Sequence, residues 1–127
     1  MAPIEQFAKK KYLNLETFRK NGAAVRTPVW FAQEGTTLYV ITMANSGKVK
    51  RIRRNGGVNV APCTATGRVT GTWAPARARE ITDPEAGARI NRLLDKKYGL
   101  IKKLFENQRS SRGSQDTVLE IVLEDQP

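Results

Sequence analysis

The sequence predicts a mainly β, α+β protein in which about six antiparallel strands close, or partly close, into a barrel accompanied by two helices. Three observations carry that expectation. Short runs rich in Val, Ile, Thr, Tyr and Trp recur between glycine-bearing turns, the pattern of small barrels. Beyond a short N-terminal stretch, two segments have helical spacing, one short and basic, the other longer and in the second half of the chain. Most strands follow one another with no helix between them, which argues against a parallel sheet. The 127 residues suit one domain spanning 1–127, and no internal repeat or long linker divides them.

Taken in order, residues 3 to 10 suit a short helix running into Lys9-Lys10-Lys11. In KYLNLETF, Leu13 and Leu15 share a face, and Asn21-Gly22 is a strong turn signal. AAVRTPVWFA follows as a strand, with Val25, Thr27, Val29 and Phe31 on one side and Arg26, Pro28 and Trp30 on the other. Pro28 has no N–H to give to a ladder, so this strand belongs at an edge or carries a bulge. After Glu34-Gly35, TTLYVITMA is the best strand in the chain. Leu38 and Val40 face one way and Tyr39, Ile41 and Met43 the other, so both faces call for cover.

A short helix is expected over residues 46 to 55, ended by Gly56-Gly57. VNVAPCTA and RVTGTWAPARAREI read as two more strands, with bends at Gly71 and Pro75. From Thr82 the period changes. Thr82 and Glu85 form a capping-box pattern with Pro84 in the first turn, and Ile90, Leu93, Leu94, Ile101, Leu104 and Phe105 recur at helical spacing. Gly99 is placed to kink or split this helix. SSRGSQD reads as a polar loop, and TVLEIVLED as the closing strand.

Composition excludes several function classes. The chain has no histidine and a single cysteine, Cys63. Ser-His-Asp and Cys-His nucleophiles, histidine proton shuttles and nearly every zinc set are thereby removed, and no metal is expected. Cys63 lies in the apolar run VNVAPCTATG and reads as a buried structural thiol. Difficult chemistry here would need a bound cofactor. No segment approaches the ~18 apolar residues of a membrane span, and MAPIEQFAKKKY has no apolar signal core; a cytoplasmic protein without membrane contact is expected.

Lys and Arg number 22 against 12 Asp and Glu, a net charge of +10 that attracts polyanions or phosphorylated ligands. The charge concentrates in ITMANSGKVKRIRRN, where Lys48, Lys50, Arg51, Arg53 and Arg54 surround the apolar anchors Val49 and Ile52. Ser46 is a good N-cap, and Gly47 lets a ligand approach the backbone. The first-turn N–H groups and the helix dipole favour an anion. Lys48 and Arg51, one turn apart, are both placed to reach it. No Walker loop, no GxGxxG and no acidic metal partner accompany them. Charge alone leaves three readings open: a solvated helix face, a nucleic-acid contact and a phosphate-bearing cofactor. Ser-Gly-Lys directly after a strand favours the last. RTPVWFAQ also reads two ways. Its aromatic residues pack in the core, or Arg26, Thr27, Pro28 and Val29 line a cleft that offers backbone groups to a flat ring. Trp73 walls the same region, sits in a dimer interface or, most simply, packs in the core.

Taken whole, RTPVWFAQEGTTLYVITMANSGKVKRIRRN resembles the split β-barrel flavin- and deazaflavin-binding oxidoreductases, the pyridoxamine-phosphate-oxidase-like superfamily, and within it the F-420-dependent branch. The motifs are Thr27-Pro28-Val29-Trp30, then Leu38-Tyr39-Val40, then Ser46-Gly47-Lys48-Val49-Lys50-Arg51; the likeness runs from about Lys11 to Ile81. The resemblance implies a six-stranded split β-barrel and a homodimer with two cofactor sites in the grooves between subunits. It implies that Arg26, Thr27, Pro28, Val29 and Trp30 meet the ring, and that Thr42, Ala44, Asn45, Ser46, Lys48 and Arg51 hold the phosphate. Two departures stand out. Asn55-Gly56-Gly57 replaces a common Asn-Pro, and the lack of histidine argues against vitamin B6 oxidation.

The expected function is therefore hydride transfer through bound F-420 or FMN to or from a small-molecule substrate. F-420 is favoured because an extended basic surface suits its polyglutamate tail. No catalytic acid or base follows; Tyr12, Tyr39 and Arg26 qualify only if they face the groove. The rival reading is an OB-like nucleic-acid-binding barrel using Lys96-Lys97 and Lys102-Lys103 on phosphates. Nine aromatic residues, several at core positions, weigh against it, so nucleic acid is not the expected partner. A non-catalytic cofactor carrier is the third reading.

Overall fold

The computed structural model describes residues 3–99 and 116–124. Its strands are β1 (Tyr12–Phe18), β2 (Ala24–Val29), β3 (Ala32–Glu34), β4 (Thr37–Met43), β5 (Gly57–Cys63), β6 (Ala74–Ile81) and β7 (Asp116–Leu123). Helix α1 (Gly47–Arg54) follows β4, and helix α2 (Pro84–Tyr98) follows β6. The strands form one antiparallel sheet in the order β2-β1-β5-β6-β7-β4-β3.

That order dictates a barrel. β2 and β3 occupy opposite edges of the sheet, yet only Trp30 and Phe31 separate them in the chain. Val29 and Ala32 can therefore be at most ~11 Å apart. Seven strands laid flat would set those edges ~29 Å apart. The sheet must curl until its edges nearly meet, leaving one seam between β2 and β3. The described residues thus form seven strands rather than the six expected, because the run AAVRTPVWFA breaks at the seam and contributes to both edges. RVTGTWAPARAREI is likewise shorter as a strand. Only Ala74–Ile81 pairs continuously, and Val69 makes an isolated bridge to Cys63.

The barrel interior holds Leu13, Leu15, Phe31, Leu38, Val40, Val60, Leu119 and Ile121, each at most 1% exposed. Each such side chain contributes roughly 1.5–3 kcal/mol by leaving water. Val49 and Ile52 join this cluster from α1 and fix that helix against β1 and β6. A second cluster lies outside the sheet, where Ile90 and Leu94 of α2 cover Ala32, Tyr39 and Val118. β4 is thus covered on both faces along most of its length, Leu38 and Val40 inside and Tyr39 beneath α2, while Met43 at its end is exposed.

Three local expectations are corrected. The N-terminal segment forms a short 3-10 turn, Pro3–Phe7, and Lys9 at φ 63 leaves helical geometry before Lys10. The N-cap of α2 is Asp83, not Thr82. A residue before proline is pushed out of the helical region, so Asp83 stays extended ahead of Pro84 and its carboxylate accepts from the Glu85 N–H. Trp73 is half-buried beside Arg26, whose guanidinium carbon sits 5.0 Å from the indole centroid, and it is not a core residue.

Gly99, at φ 59, ends α2 as its C-cap. The helical pattern at Ile101, Leu104 and Phe105, and most of the polar loop before β7, lie outside the described residues. Cys63 is buried, and burial pushes its thiol pKa up, which fits a structural thiol. No described helix is long and apolar enough to cross a membrane.

Candidate functional site

The head of α1 is the most chemically loaded point of the described structure. Ser46 takes the N-cap position with extended backbone, φ −70 and ψ 157, but its side chain makes no capping bond. Its Oγ is buried and has no hydrogen-bond partner among the described residues. The first helical bond runs from the Lys50 N–H to the Ser46 carbonyl, so the amides of Gly47, Lys48 and Val49 precede it. A hydroxyl and first-turn amides at the positive end of a helix are suited to an anion.

Two basic side chains turn back to the same end. Lys48 Nζ donates to Thr42 Oγ1 at 3.3 Å, which places the ammonium at the C-terminal end of β4. Arg51 Nε donates to Thr17 Oγ1 at 2.7 Å, and its guanidinium lies against Gly47. A Cβ at Gly47 would meet Arg51 Nη1 at 2.7 Å, so glycine is what lets the arginine lie there. The Arg51 pKa is lowered, first by burial and then by the neighbouring charges of Arg19 and Arg54. It still lies far above neutrality, since guanidinium does not titrate in proteins.

The other basic residues of the helix are not equivalent. Arg53 forms a two-pronged ion pair with Glu80, at 2.8 and 2.9 Å, and points away from the helix head. Arg54 Nη2 donates to the Phe18 carbonyl at 3.0 Å, near Arg19. Among the described residues no carboxylate pairs with Arg19, Arg51 or Arg54.

Of the residues expected to hold a phosphate, Thr42, Ser46, Lys48 and Arg51 are brought together. Asn45 is exposed in the turn between β4 and α1, where the Ser46 N–H donates to the Met43 carbonyl. Ala44 borders a groove of about 280 Å³ between β4, β7 and the start of α2, lined also by Ile41, Asp83, Asn91 and Thr117.

Of the residues expected to meet a ring, Arg26 to Val29 lie on β2, which among the described residues pairs with β1 alone and leaves its other backbone edge unladdered, and Trp30 follows the strand. Arg26 Nε donates to Glu16 Oε2 at 2.8 Å, and Asn59 donates to the other oxygen of the same carboxylate. Thr27, Pro28 and Val29 stand opposite Leu15, Asn14 and Leu13. The Trp30 indole lies on the Tyr98 ring, 4.5 Å between centroids and 11° from parallel. β1 connects the two halves of the candidate site, because Thr17, the partner of Arg51, is in register with Val25 of β2.

Thr17 was not among the expected site residues. The available signal was a hydroxyl on the inward face set by Leu13 and Leu15, a position that needs a partner when buried. Glu16, Lys97 and Tyr98 were also unexpected in this region. Tyr39 is 6% exposed beneath α2, with the Arg89 guanidinium 5.6 Å from its ring, so it faces away from the β2 groove. No group of three or more metal-ligating side chains occurs among the described residues.

A curled antiparallel sheet with one open seam and a helix inserted after β4 defines the class: a split β-barrel of the pyridoxamine-phosphate-oxidase-like type. The chain belongs to the pyridoxamine 5'-phosphate oxidase family, which it matches over residues 4–125. None of the curated proteins matches it in sequence. Solved structures of similar fold include an F420 reductase, with a TM-score of 0.64, 15% identity and coverage of 98% of this chain and 95% of that one. An FAD-binding protein from Mesorhizobium loti has a TM-score of 0.62 at 19% identity, covering 95% and 84%. The heme storage protein HutZ from Vibrio cholerae has a TM-score of 0.70 at 15% identity, covering 97% and 87%. At these identities the likeness is one of fold.

Proposed function

We propose that this chain is an oxidoreductase acting through a bound flavin or deazaflavin, with residues 1–127 as one domain of a cytoplasmic homodimer. The observation that carries the reading is the buried Ser46 Oγ, without a partner among the described residues, beside Lys48 and the folded-back Arg51. That donor set fits a phosphate. In this reading Ser46, Lys48, Arg51 and the first-turn amides hold the phosphate, with Thr42, Ala44 and Asn45 shaping the approach. Arg26 to Trp30 present the edge of β2 to the ring. The cofactor supplies hydride transfer when bound. The chain supplies the clamp, the orientation of the ring strand and a groove that limits solvent.

F-420 is favoured over FMN. Arg19 and Arg54 add positive charge beside Arg51, suited to a ligand whose anionic groups extend beyond one phosphate. The absence of histidine removes one common axial ligand of heme iron and so weighs against heme. A non-catalytic cofactor carrier shares the same site chemistry; turnover with a reducible small molecule separates the two roles.

The test is parallel titration with FMN and F-420, followed by cofactor absorbance and tryptophan fluorescence, at low and moderate salt. Saturable binding of one cofactor, weakened about tenfold or more by Lys48→Ala or Arg51→Ala, is expected. No binding of either, with DNA quenching the tryptophans instead, would overturn the reading in favour of a nucleic-acid-binding barrel.

A further inference from the structure

The seam between β2 and β3 is closed by side chains of α2. Trp30 and Phe31 cross from one sheet edge to the other and belong to neither ladder. Phe31 is nonetheless hydrogen-bonded at both backbone groups. Its N–H donates to Tyr98 Oη at 3.1 Å, and its carbonyl accepts from Lys97 Nζ at 2.9 Å.

The Tyr98 hydroxyl carries one proton and lies 2.7 Å from the Lys11 carbonyl but 3.1 Å from that of Phe31. The shorter contact takes the proton, which leaves the Phe31 carbonyl to Lys97. Lys11 immediately precedes β1, the ladder partner of β2 among the described residues. One phenol therefore joins the crossing segment to the strand that carries β2. The same ring stacks on Trp30, and Lys97 Nζ sits 3.4 Å from the centroid of Phe31, whose ring is fully buried in the barrel.

These two residues end α2, and Ile90 and Leu94 hold that helix on the sheet. An edge strand has a ladder on one side only, so the placement of its far end depends on whatever binds the segment beyond it. Here that is the last turn of α2. We propose that Lys97 and Tyr98 are positioning residues that latch the Trp30–Phe31 crossing and thereby set the geometry of β2 for ring binding. The inference rests on the reading of β2 as the ring-facing strand.

Three variants of the full chain test it. Tyr98→Phe keeps the ring on Trp30 and removes the hydroxyl. Lys97→Met keeps most of the stem and removes the ammonium, while Lys97→Arg restores a donor. Amide hydrogen exchange reads the latch directly, and titrations with FMN, F-420 and inorganic phosphate read its consequence. In Tyr98→Phe and Lys97→Met, exchange at Phe31 is expected to rise about tenfold, and affinity for the ring-bearing ligand to fall by a similar factor. Inorganic phosphate, held at α1, should bind within about twofold of wild type, and Lys97→Arg should recover part of the ring affinity.

Unchanged Phe31 exchange in both variants overturns the latch. Faster exchange with unchanged ring affinity in folded protein overturns the positioning role. If the wild type binds neither FMN nor F-420, the flavin reading itself fails, and the latch is then decided by the exchange measurement alone.

Discussion

Arg51 and Thr17 are joined across the gap between α1 and β1 by a 2.7 Å hydrogen bond from Nε to Oγ1. The bond occupies the inner nitrogen of the guanidinium and turns Nη1 toward Gly47, at the head of the helix. An arginine on an exposed helix would otherwise spread over many rotamers, at a cost of up to ~2 kcal/mol when a ligand orders it. Thr17→Val keeps the shape of the side chain and removes the acceptor. Affinity for inorganic phosphate or FMN is expected to fall about three- to tenfold, with folding stability within about 1 kcal/mol of wild type. Ligand titration beside urea unfolding checks both.

Gly47→Ala separates stability from binding. Gly47 is the first residue of α1, and alanine is the better helix former by roughly 0.5–1 kcal/mol. The added Cβ meets only the flexible end of Arg51, which can swing aside. A melting temperature equal to or above wild type is expected, with anion affinity about tenfold weaker because Arg51 no longer lies over the helix head. Thermal unfolding and phosphate titration on one preparation would show whether the two quantities move in opposite directions.

Geometry, rather than net charge, should decide which basic residue binds. Arg51 and Arg53 lie in the same short helix, but Arg53 is held by Glu80. Arg53→Ala is expected to leave phosphate affinity within about twofold of wild type, whereas Arg51→Ala loses about tenfold or more. Equal losses from the two variants would mean that a diffuse positive field, and not a built cradle, attracts the anion.

The pH dependence of stability should carry a contribution from Lys97. The residue is exposed overall, but its ammonium lies against the Phe31 ring, and that desolvation lowers its pKa from the usual 10.5 to about 8. The folded protein therefore releases this proton first, and between about pH 8 and 10.5 the unfolded chain binds more protons than the native state. Stability from this group rises with pH through that window and is flat below it. Urea unfolding of wild type and Lys97→Met between pH 7 and pH 10.5 should show the wild type gaining on the variant as pH rises. A constant difference would mean that Lys97 keeps its ordinary pKa in the fold.

Much of the fold was legible in the sequence because it is encoded by neighbours along the chain. The limits of α1 followed from Ser46 and from Asn55 before Gly56, and its buried side from Val49 and Ile52. The alternation in KYLNLETF and TTLYVITMA put Leu13 with Leu15 and Leu38 with Val40 on shared faces, which the closed sheet turns inward. The N-cap of α2 lies one residue beyond the start that the capping-box spacing from Thr82 to Glu85 suggests, because the restriction on the residue before Pro84 outweighs that spacing.

The sequence by itself determined most of the local parts: where most strands run, where the basic helix begins, and that Ser46, Lys48 and Arg51 share one end of it. Only the tertiary structure decided how those parts meet. It brought Thr17 to Arg51 over 34 positions of chain and Tyr98 to Phe31 over 67. It also divided AAVRTPVWFA at Trp30 and Phe31 between the two edges of the sheet. The physical reason is the range of the interactions involved. Periodicity and capping act within a few residues, whereas closing a barrel depends on ladders between strands far apart in the chain, and no local pattern records which edge a strand will occupy.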